Sequence, residues 1–181
     1  MLVIHPKDRT TEFLNKLYLG RKEVNLLTQD NTSDEVRKAI HHLPSSQPIY
    51  LLGHGSVDGL FSRRDDTGVF DRIIVGHKHA YYLQRRGNIV GIFCNANLFA
   101  EKEHLHGLFT GMIISEMSEA QEYNVETSQE ELDRENILFV QRLVHLLNDD
   151  TPLRLIPDLM REMDTSKTAL TRFNYERIYF L

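Results

Sequence analysis

The chain has 181 residues, of which 41% are hydrophobic and 26% are charged, and its net charge at pH 7 is −5. This composition is typical of a globular domain and excludes wholesale disorder and collagen-like repeats. The negative net charge argues against nucleic acid as the main partner, and no apolar run is long enough to span a bilayer. A single cysteine, Cys94, excludes an internal disulfide and fits a reducing compartment. We therefore expect one cytoplasmic domain over residues 1–181, with no membrane association.

Short apolar runs alternate with amphipathic segments through the first part of the chain. The apolar runs predict strands over residues 2–5, 23–28 and 49–53. Large apolar residues at helical spacing predict helices over residues 10–20 and 33–43. Thr32 or Ser33 is the expected N-cap of the second helix, because a side-chain oxygen at that position accepts a hydrogen bond from the first turn.

The middle of the chain continues this alternation after an excursion. Residues 56–70 contain turn signals at Asp58-Gly59 and from Asp65 to Gly68, which predict a β-hairpin. The elements predicted after it are a helix over 76–86, a strand over 89–93, a short helix over 98–106 and a strand over 111–115.

The last part of the chain is mostly helical in pattern. Residues 116–124 are acidic and irregular, and Ser128 with Glu131 matches a capping box that opens a long helix to about Leu147. Pro152 restarts a helix and Pro157 interrupts it, while the last seven residues fit either a helix or a strand.

Apolar strands separated by amphipathic helices predict an α/β fold, with a mainly parallel sheet and helices on both faces. The core of this single domain is expected in about residues 1–116, followed by a mostly helical extension over 117–181. Consecutive strands are usually neighbours in a sheet, so we also expect the strands that end at Gly53 and Phe93 to be adjacent and parallel.

Two of the predicted strands end in residues that carry chemistry. His54 and Gly55 follow strand 49–53, and Cys94 follows strand 89–93. Because ligands bind at the carboxyl ends of parallel strands, these residues are expected on one edge of the sheet. A nucleophilic cysteine needs an acid/base partner, and histidine titrates near neutrality. We predict that Cys94 is a nucleophile, that His54 is its general acid/base, and that the backbone N–H groups of Gly55 and Cys94 bind an oxyanion.

The chain resembles the caspase-like (clan CD) cysteine peptidases in an apolar strand ending in His-Gly, a hairpin excursion, a helix and an apolar strand ending in cysteine. The similarity covers about residues 1–116. It implies a caspase-like fold and activity on a peptide or protein substrate without metal or cofactor, with His54 as catalytic histidine and Cys94 as nucleophile. The family usually has a small residue before the cysteine, where this chain has Phe93. That departure favours a second hypothesis, a catalytically inactive caspase-like interaction or regulatory module.

Two glutamates are candidates for substrate binding. In caspase-like peptidases, the side chain on the acyl side of the cut bond enters a pocket beside the cysteine strand and the strand that follows it. Glu116 and Glu119 come directly after the predicted strand 111–115, and a partly desolvated carboxylate selects a cation. We therefore predict cleavage after Arg or Lys in preference to Asp. The competing interpretation is that both glutamates lie in a solvated acidic loop.

Two pairs of histidines raise a third hypothesis, a metal-dependent hydrolase. The pairs are His77 with His79 and His104 with His106, and imidazole is a good ligand for Zn²⁺. Both pairs fall on predicted helices, where residues two apart point in different directions, and the HExxH motif is absent. These facts favour a structural or solvated role over a metal site.

Overall fold

The computed structural model describes residues 1–64 and 69–181, which form an α/β fold. In chain order the strands are β1 (Leu2–Ile4), β2 (Asn25–Leu27), β3 (Ile49–Leu52), β4 (His54–Ser56), β5 (Gly59–Arg64), β6 (Val69–Val75), β7 (Ile89–Ile92), β8 (Gly107–Thr110) and β9 (Ile178–Phe180). The α-helices are α1 (Ser33–His42), α2 (His77–Leu83), α3 (Ala96–Glu103), α4 (Met117–Glu122), α5 (Gln129–Asn148), α6 (Ile156–Glu162) and α7 (Ala169–Tyr175). Within the described residues, 3-10 helices span Arg9–Leu17 and Leu153–Leu155.

The main sheet has six strands in the order β2-β1-β3-β7-β8-β9. All neighbouring pairs are parallel except the last, because β9 runs antiparallel to β8. The predicted mainly parallel sheet is therefore confirmed. The expected neighbours β3 and β7 are adjacent and parallel, with Ile49 opposite Ile89 and Leu52 opposite Ile92.

Both faces of this sheet are covered, because side chains alternate between faces along a strand and the central strands are apolar on both. One face packs against α1, α2 and α3, and the other packs against the first 3-10 helix, α5 and α6. Leu51 of β3 lies in the first cluster, whereas its neighbours Tyr50 and Leu52 lie in the second. The expected helices on both faces are thus present.

The excursion between β3 and β7 is a separate three-stranded antiparallel sheet in the order β4-β5-β6. The predicted turn at Asp58-Gly59 joins β4 to β5, in agreement with the expected hairpin. The second predicted turn, over residues 65–68, lies outside the described residues.

The strand predicted over residues 111–115 is wrong, because the strand after β7 is β8, at Gly107–Thr110. Gly107 has φ +148°, and a Cβ there would lie 2.1 Å from the carbonyl oxygen of Ile89. The strand can therefore begin here only because the residue is glycine. Residues 111–115 lie in a loop, where the Asn174 side chain bonds both the N–H (2.8 Å) and the carbonyl (3.0 Å) of Ile114.

Several helix boundaries also differ from the sequence predictions. The segment predicted as an α-helix over 10–20 is the 3-10 helix Arg9–Leu17, whose buried residues Thr11, Leu14 and Leu17 recur every three positions, the period of a 3-10 helix. The short helix predicted over 98–106 is α3, which begins at residue 96. The acidic segment expected to be irregular contains α4.

The C-terminal part is mostly helical, as predicted, and its strand β9 lies at one edge of the main sheet. Thr32 caps α1, and Ser128 caps α5 by accepting a hydrogen bond from Glu131 N–H at 3.2 Å. The last residues, which fitted either a helix or a strand, form β9. Among the described residues, no helix is long and apolar enough to cross a membrane.

Candidate functional site

His54 and Cys94 follow neighbouring strands at the same edge of the main sheet. The last paired residues of β3 and β7 are Leu52 and Ile92, and each candidate lies two residues beyond its strand's member of that pair. The Gly53 N–H donates to the Ile92 carbonyl at 3.1 Å, so the two chains stay together past the end of the ladder. The expected common edge for His54 and Cys94 is therefore present in the fold.

The His54 side chain is 5% exposed and lies in a polar network. Its Nε2 is 2.8 Å from Thr10 Oγ1, 3.3 Å from Asp8 Oδ1 and 3.9 Å from Glu116 Oε1. Burial lowers the pKa of the imidazole, and the positive charge of Arg63 lowers it further, while the negative charge of Asp8 opposes both. The ring is therefore mainly neutral at physiological pH, which is the form that accepts a proton.

Asp8 and Thr10 are site residues that the sequence predictions missed. Asp8 is the N-cap of the first 3-10 helix, and its Oδ1 accepts hydrogen bonds from the Thr10 N–H (2.8 Å) and from the Thr10 hydroxyl. Burial acts to raise the pKa of the Asp8 carboxyl, but these hydrogen bonds and His54 lower it overall. The available signal was an Asp-x-Thr segment, which is typical of a helix start, four residues after the end of β1, the strand that neighbours β3.

Cys94 lies at the turn between β7 and α3 and is half-buried. Asn95, the N-cap of α3, has the left-handed conformation with φ +62°, so the chain reverses sharply after the cysteine. The thiol donates to the Ile113 carbonyl at 3.7 Å and lies 3.9 Å from Glu119 Oε1. Burial and then the charge of Glu119 raise the pKa of Cys94 to about 12. The resting sulfur is thus a neutral thiol.

The two candidate catalytic side chains have separate partners. No hydrogen bond joins Cys94 Sγ to the His54 ring among the residues that the structure describes. The first turn of α4 links their surroundings, because Glu116 approaches His54 and Glu119 approaches Cys94. The four side chains proposed from the sequence, His54, Cys94, Glu116 and Glu119, therefore lie in one region, and the thiol faces Glu119.

Glu116 and Glu119 both have partners within the protein. Glu116 forms an ion pair with Arg63, with Oε1 2.8 Å from Nη1. Glu119 Oε2 accepts hydrogen bonds from the N–H groups of Ser115 (2.7 Å) and Glu116 (3.1 Å) and so closes the start of α4. Burial raises the pKa of the Glu119 carboxyl. Glu116 is the more exposed of the two side chains and the better placed to meet a ligand.

Gly55 accommodates the ring of Phe93. A Cβ at Gly55 would lie 2.1 Å from Phe93 Cδ2, and the Phe93 side chain is 2% exposed. The bulky residue before Cys94 thus packs into the core against the strand that carries His54, and it also contacts Phe99, with ring centroids 6.2 Å apart. Gly55 has this packing role whether or not its N–H binds an oxyanion.

Two cavities lie on either side of the first 3-10 helix. The cavity beside α4 has a volume of about 780 Å³, and its lining includes Thr10, Lys16, Glu116 and Asp133. The other cavity, of about 700 Å³, is lined by residues that include Asp8 and Arg63. Each cavity therefore borders a direct neighbour of the His54 ring.

The histidine pairs lie away from this network. His77 is exposed and pairs with Glu103 at 2.9 Å, whereas His79 is buried and its ring accepts a hydrogen bond from the Gly76 N–H at 3.2 Å. His104 ends α3 in the left-handed conformation. Residues 1–64 and 69–181 contain no group of three or more His, Cys, Asp or Glu side chains that could hold a metal ion.

No protein-family model matches this chain, and no curated protein is significantly similar to it.

Proposed function

We propose that the chain is a caspase-like cysteine peptidase in which Cys94 is the nucleophile and His54 is the general acid/base. The order of elements supports this assignment: β3 leads into His54-Gly55, the β4-β5-β6 excursion and α2 follow, and β7 ends before Cys94. The observation that carries the proposal is the His54 ring, which is buried and hydrogen-bonded through Nε2 beside the strand that ends in the cysteine.

In the proposed reaction, the Cys94 thiol turns from Ile113 and Glu119 towards His54. The His54 ring takes the thiol proton while the sulfur forms a bond to the carbonyl carbon of the peptide, and the carbonyl oxygen gains the negative charge. The backbone N–H groups of Gly55 and Cys94 are the proposed oxyanion donors. The imidazolium then gives its proton to the leaving amine as the C–N bond breaks. Water, deprotonated by His54, hydrolyses the thioester and restores the free thiol.

The proposed substrate has Arg or Lys on the acyl side of the cut bond. The negative charges of Asp8, Glu116 and Glu119 are opposed by Arg63 within this region. The Glu116 carboxylate would bind a substrate cation in addition to Arg63. It would prefer a cation to a neutral side chain, because charge-assisted hydrogen bonds to a carboxylate are stronger than neutral ones. Glu119 is already occupied by the start of α4, so Glu116 is the stronger of the two proposed determinants.

The second candidate function is a catalytically inactive interaction module. The hydrogen bond from the Cys94 thiol to the Ile113 carbonyl favours it, because a neutral thiol held in this way behaves as a small apolar residue. The packing of Phe93 against Gly55 also favours the inactive module, because it fixes the end of the cysteine strand in the core.

The test combines peptide turnover with labelling of the cysteine. A panel of fluorogenic peptides that differ only in Arg, Lys or Asp before the cut bond is offered to the wild type, to Cys94→Ser and to His54→Gln. We expect turnover of the Arg and Lys peptides by the wild type only. A peptidyl chloromethyl ketone should add to Cys94, as measured by intact mass and peptide mapping. A folded wild type that neither cleaves nor reacts contradicts the peptidase and supports the inactive module.

A further inference from the structure

The hydrogen bonds around His54 fix the direction in which protons point. The Thr10 hydroxyl has one proton, and it donates that proton to Asp8 Oδ1. The same hydroxyl oxygen lies 2.8 Å from His54 Nε2. Because the proton of Thr10 is already used, its oxygen accepts from the ring, so Nε2 is the protonated nitrogen.

This tautomer leaves Nδ1 with the lone pair of the neutral ring. No hydrogen bond to Nδ1 is made by any residue in the described parts of the chain. Nδ1 is therefore the nitrogen free to accept a proton, and Nε2 is the nitrogen that holds the ring in place. The Asp8 side chain, whose carboxylate ends this chain of hydrogen bonds, is only 7% exposed. Its negative charge therefore acts on the ring with little screening by water.

We propose that Asp8 and Thr10 are positioning residues that hold His54 in the Nε2–H tautomer with Nδ1 as the base. The Thr10 hydroxyl transmits the hydrogen bond, and the Asp8 carboxylate stabilises the imidazolium that forms when Nδ1 is protonated. Only the catalytic meaning of this arrangement rests on the proposed function, because the state of the ring can be measured in the absence of turnover.

Other charged groups also face the ring, and the test must separate them from Asp8. Arg63 of β5 opposes protonation of His54, whereas Glu116, before α4, favours it. His5 of β1 is a second buried histidine in the same region. Substitution of Asp8 or Thr10 keeps all three of these side chains, and because the charge of Asp8 also acts to raise the pKa of His5, the two histidines are followed separately.

The variants exploit the double role of Asp8 as helix cap and ring partner. In Asp8→Asn, the amide oxygen still accepts the Thr10 N–H, and Asn caps helices as well as Asp does, so only the charge is lost. Thr10→Val keeps the shape and removes the hydroxyl, and Thr10→Ser restores it. Thr11→Val is the matched control, because Thr11 Oγ1 lies 3.3 Å from Nε2 of His5 and bonds the Asp8 backbone carbonyl at 3.4 Å, but has no hydrogen bond to the His54 ring among the described residues.

The measurement is NMR of the full chain with ¹⁵N-labelled histidine, with the His54 signals assigned from His54→Gln. In the wild type we expect a slowly exchanging Nε2–H proton and an unprotonated Nδ1. Thr10→Val should lose this slow exchange and Thr10→Ser should regain it, while Asp8→Asn should move the titration of His54 to lower pH. A wild-type ring protonated on Nδ1, or an unchanged titration in Asp8→Asn, overturns the proposal.

Turnover gives the second readout. If the peptidase is active, Asp8→Asn should lower kcat about ten- to hundredfold with little change in KM, the effect of weakening a charge-assisted hydrogen bond. The acidic limb of the kcat/KM profile should follow the lower pKa of His54. The expected ring state without any turnover supports the positioning role and contradicts the proposed function, so the two failures are distinguishable.

Discussion

The two sides of the candidate site contrast in how their central side chains are held. His54 lies in a chain of hydrogen bonds that reaches the Asp8 carboxylate through Thr10. Cys94 has two long polar contacts, to the Ile113 carbonyl at 3.7 Å and to Glu119 at 3.9 Å. The first side holds a neutral ring in a fixed network, whereas the second keeps its sulfur protonated.

This contrast shows that the position of a side chain in the fold and its protonation state have different causes. The edge of a parallel sheet can bring two side chains together, but burial and the surrounding charges decide the protonation state of each. Burial and then the positive charge of Arg63 lower the pKa of His54 and keep the ring neutral, whereas burial and then the negative charge of Glu119 raise the pKa of Cys94 and keep the thiol neutral.

The largest expected effect is on stability, and it concerns Phe93, whose ring packs between the strand that carries His54 and the end of β7 before Cys94. Phe93→Ala removes a side chain that packs against Gly55 and Phe99, so we expect the free energy of unfolding to fall by about 3–5 kcal/mol. Urea denaturation measures this loss, and Phe93→Leu is the control, with a smaller effect because it fills most of the space. A loss below about 1 kcal/mol for Phe93→Ala would mean that this ring does not join the two sides.

The second prediction concerns acid stability on the His54 side. Burial lowers the pKa of His5 to about 4, against about 6.5 in the unfolded chain. The unfolded state binds the proton more readily, so the stabilisation is complete above pH 6.5 and is lost as the pH falls towards 4. We expect the free energy of unfolding to fall by about 3 kcal/mol from this group over that range.

His5→Gln tests this prediction, because the variant lacks the titrating group. Urea denaturation at pH 7 and pH 4.5 should give a smaller difference between the two pH values for His5→Gln than for the wild type. Burial also lowers the pKa of His54 and of His79, so the variant should retain part of the acid sensitivity. An equal pH dependence in both proteins would contradict the assignment to His5.

The third and smallest effect is expected on the Cys94 side. Glu119→Gln removes a negative charge beside the thiol but keeps an oxygen to accept the N–H groups of Ser115 and Glu116. The pKa of Cys94 should fall, and alkylation of the folded protein by iodoacetamide at pH 8 should become severalfold faster.

Glu116→Gln is the matched control for this experiment. It removes one negative charge at the start of the same helix, but Glu116 raises the pKa of Cys94 less than Glu119 does, so the acceleration should be smaller. Equal rates for Glu119→Gln and the wild type would indicate that burial alone keeps the thiol protonated.

Some features of the fold could be predicted from the sequence and others could not. The parallel order of β3 and β7 was predictable because strongly apolar strands separated by helices have few arrangements. The position of β8 was not, because Ile113 and Ile114 have the apolar pattern of a strand while the backbone partner of Ile114 is the side chain of Asn174, which lies 60 residues further on. A long-range side-chain partner of this kind leaves no local signal.

The α/β class and the common edge of His54 and Cys94 followed from the sequence, because strand order and local periodicity are encoded by neighbouring residues. Glu116 and Glu119 lie near this edge for a reason that local periodicity did not contain, since a loop bonded to Asn174 precedes them instead of the predicted strand. The charges that face each group were likewise visible only in the folded structure. Asp8 reaches His54 from 46 positions earlier in the chain, and the thiol faces Ile113 and Glu119. Protonation depends on distances and burial in three dimensions, and folding sets both through contacts that no short stretch of sequence contains.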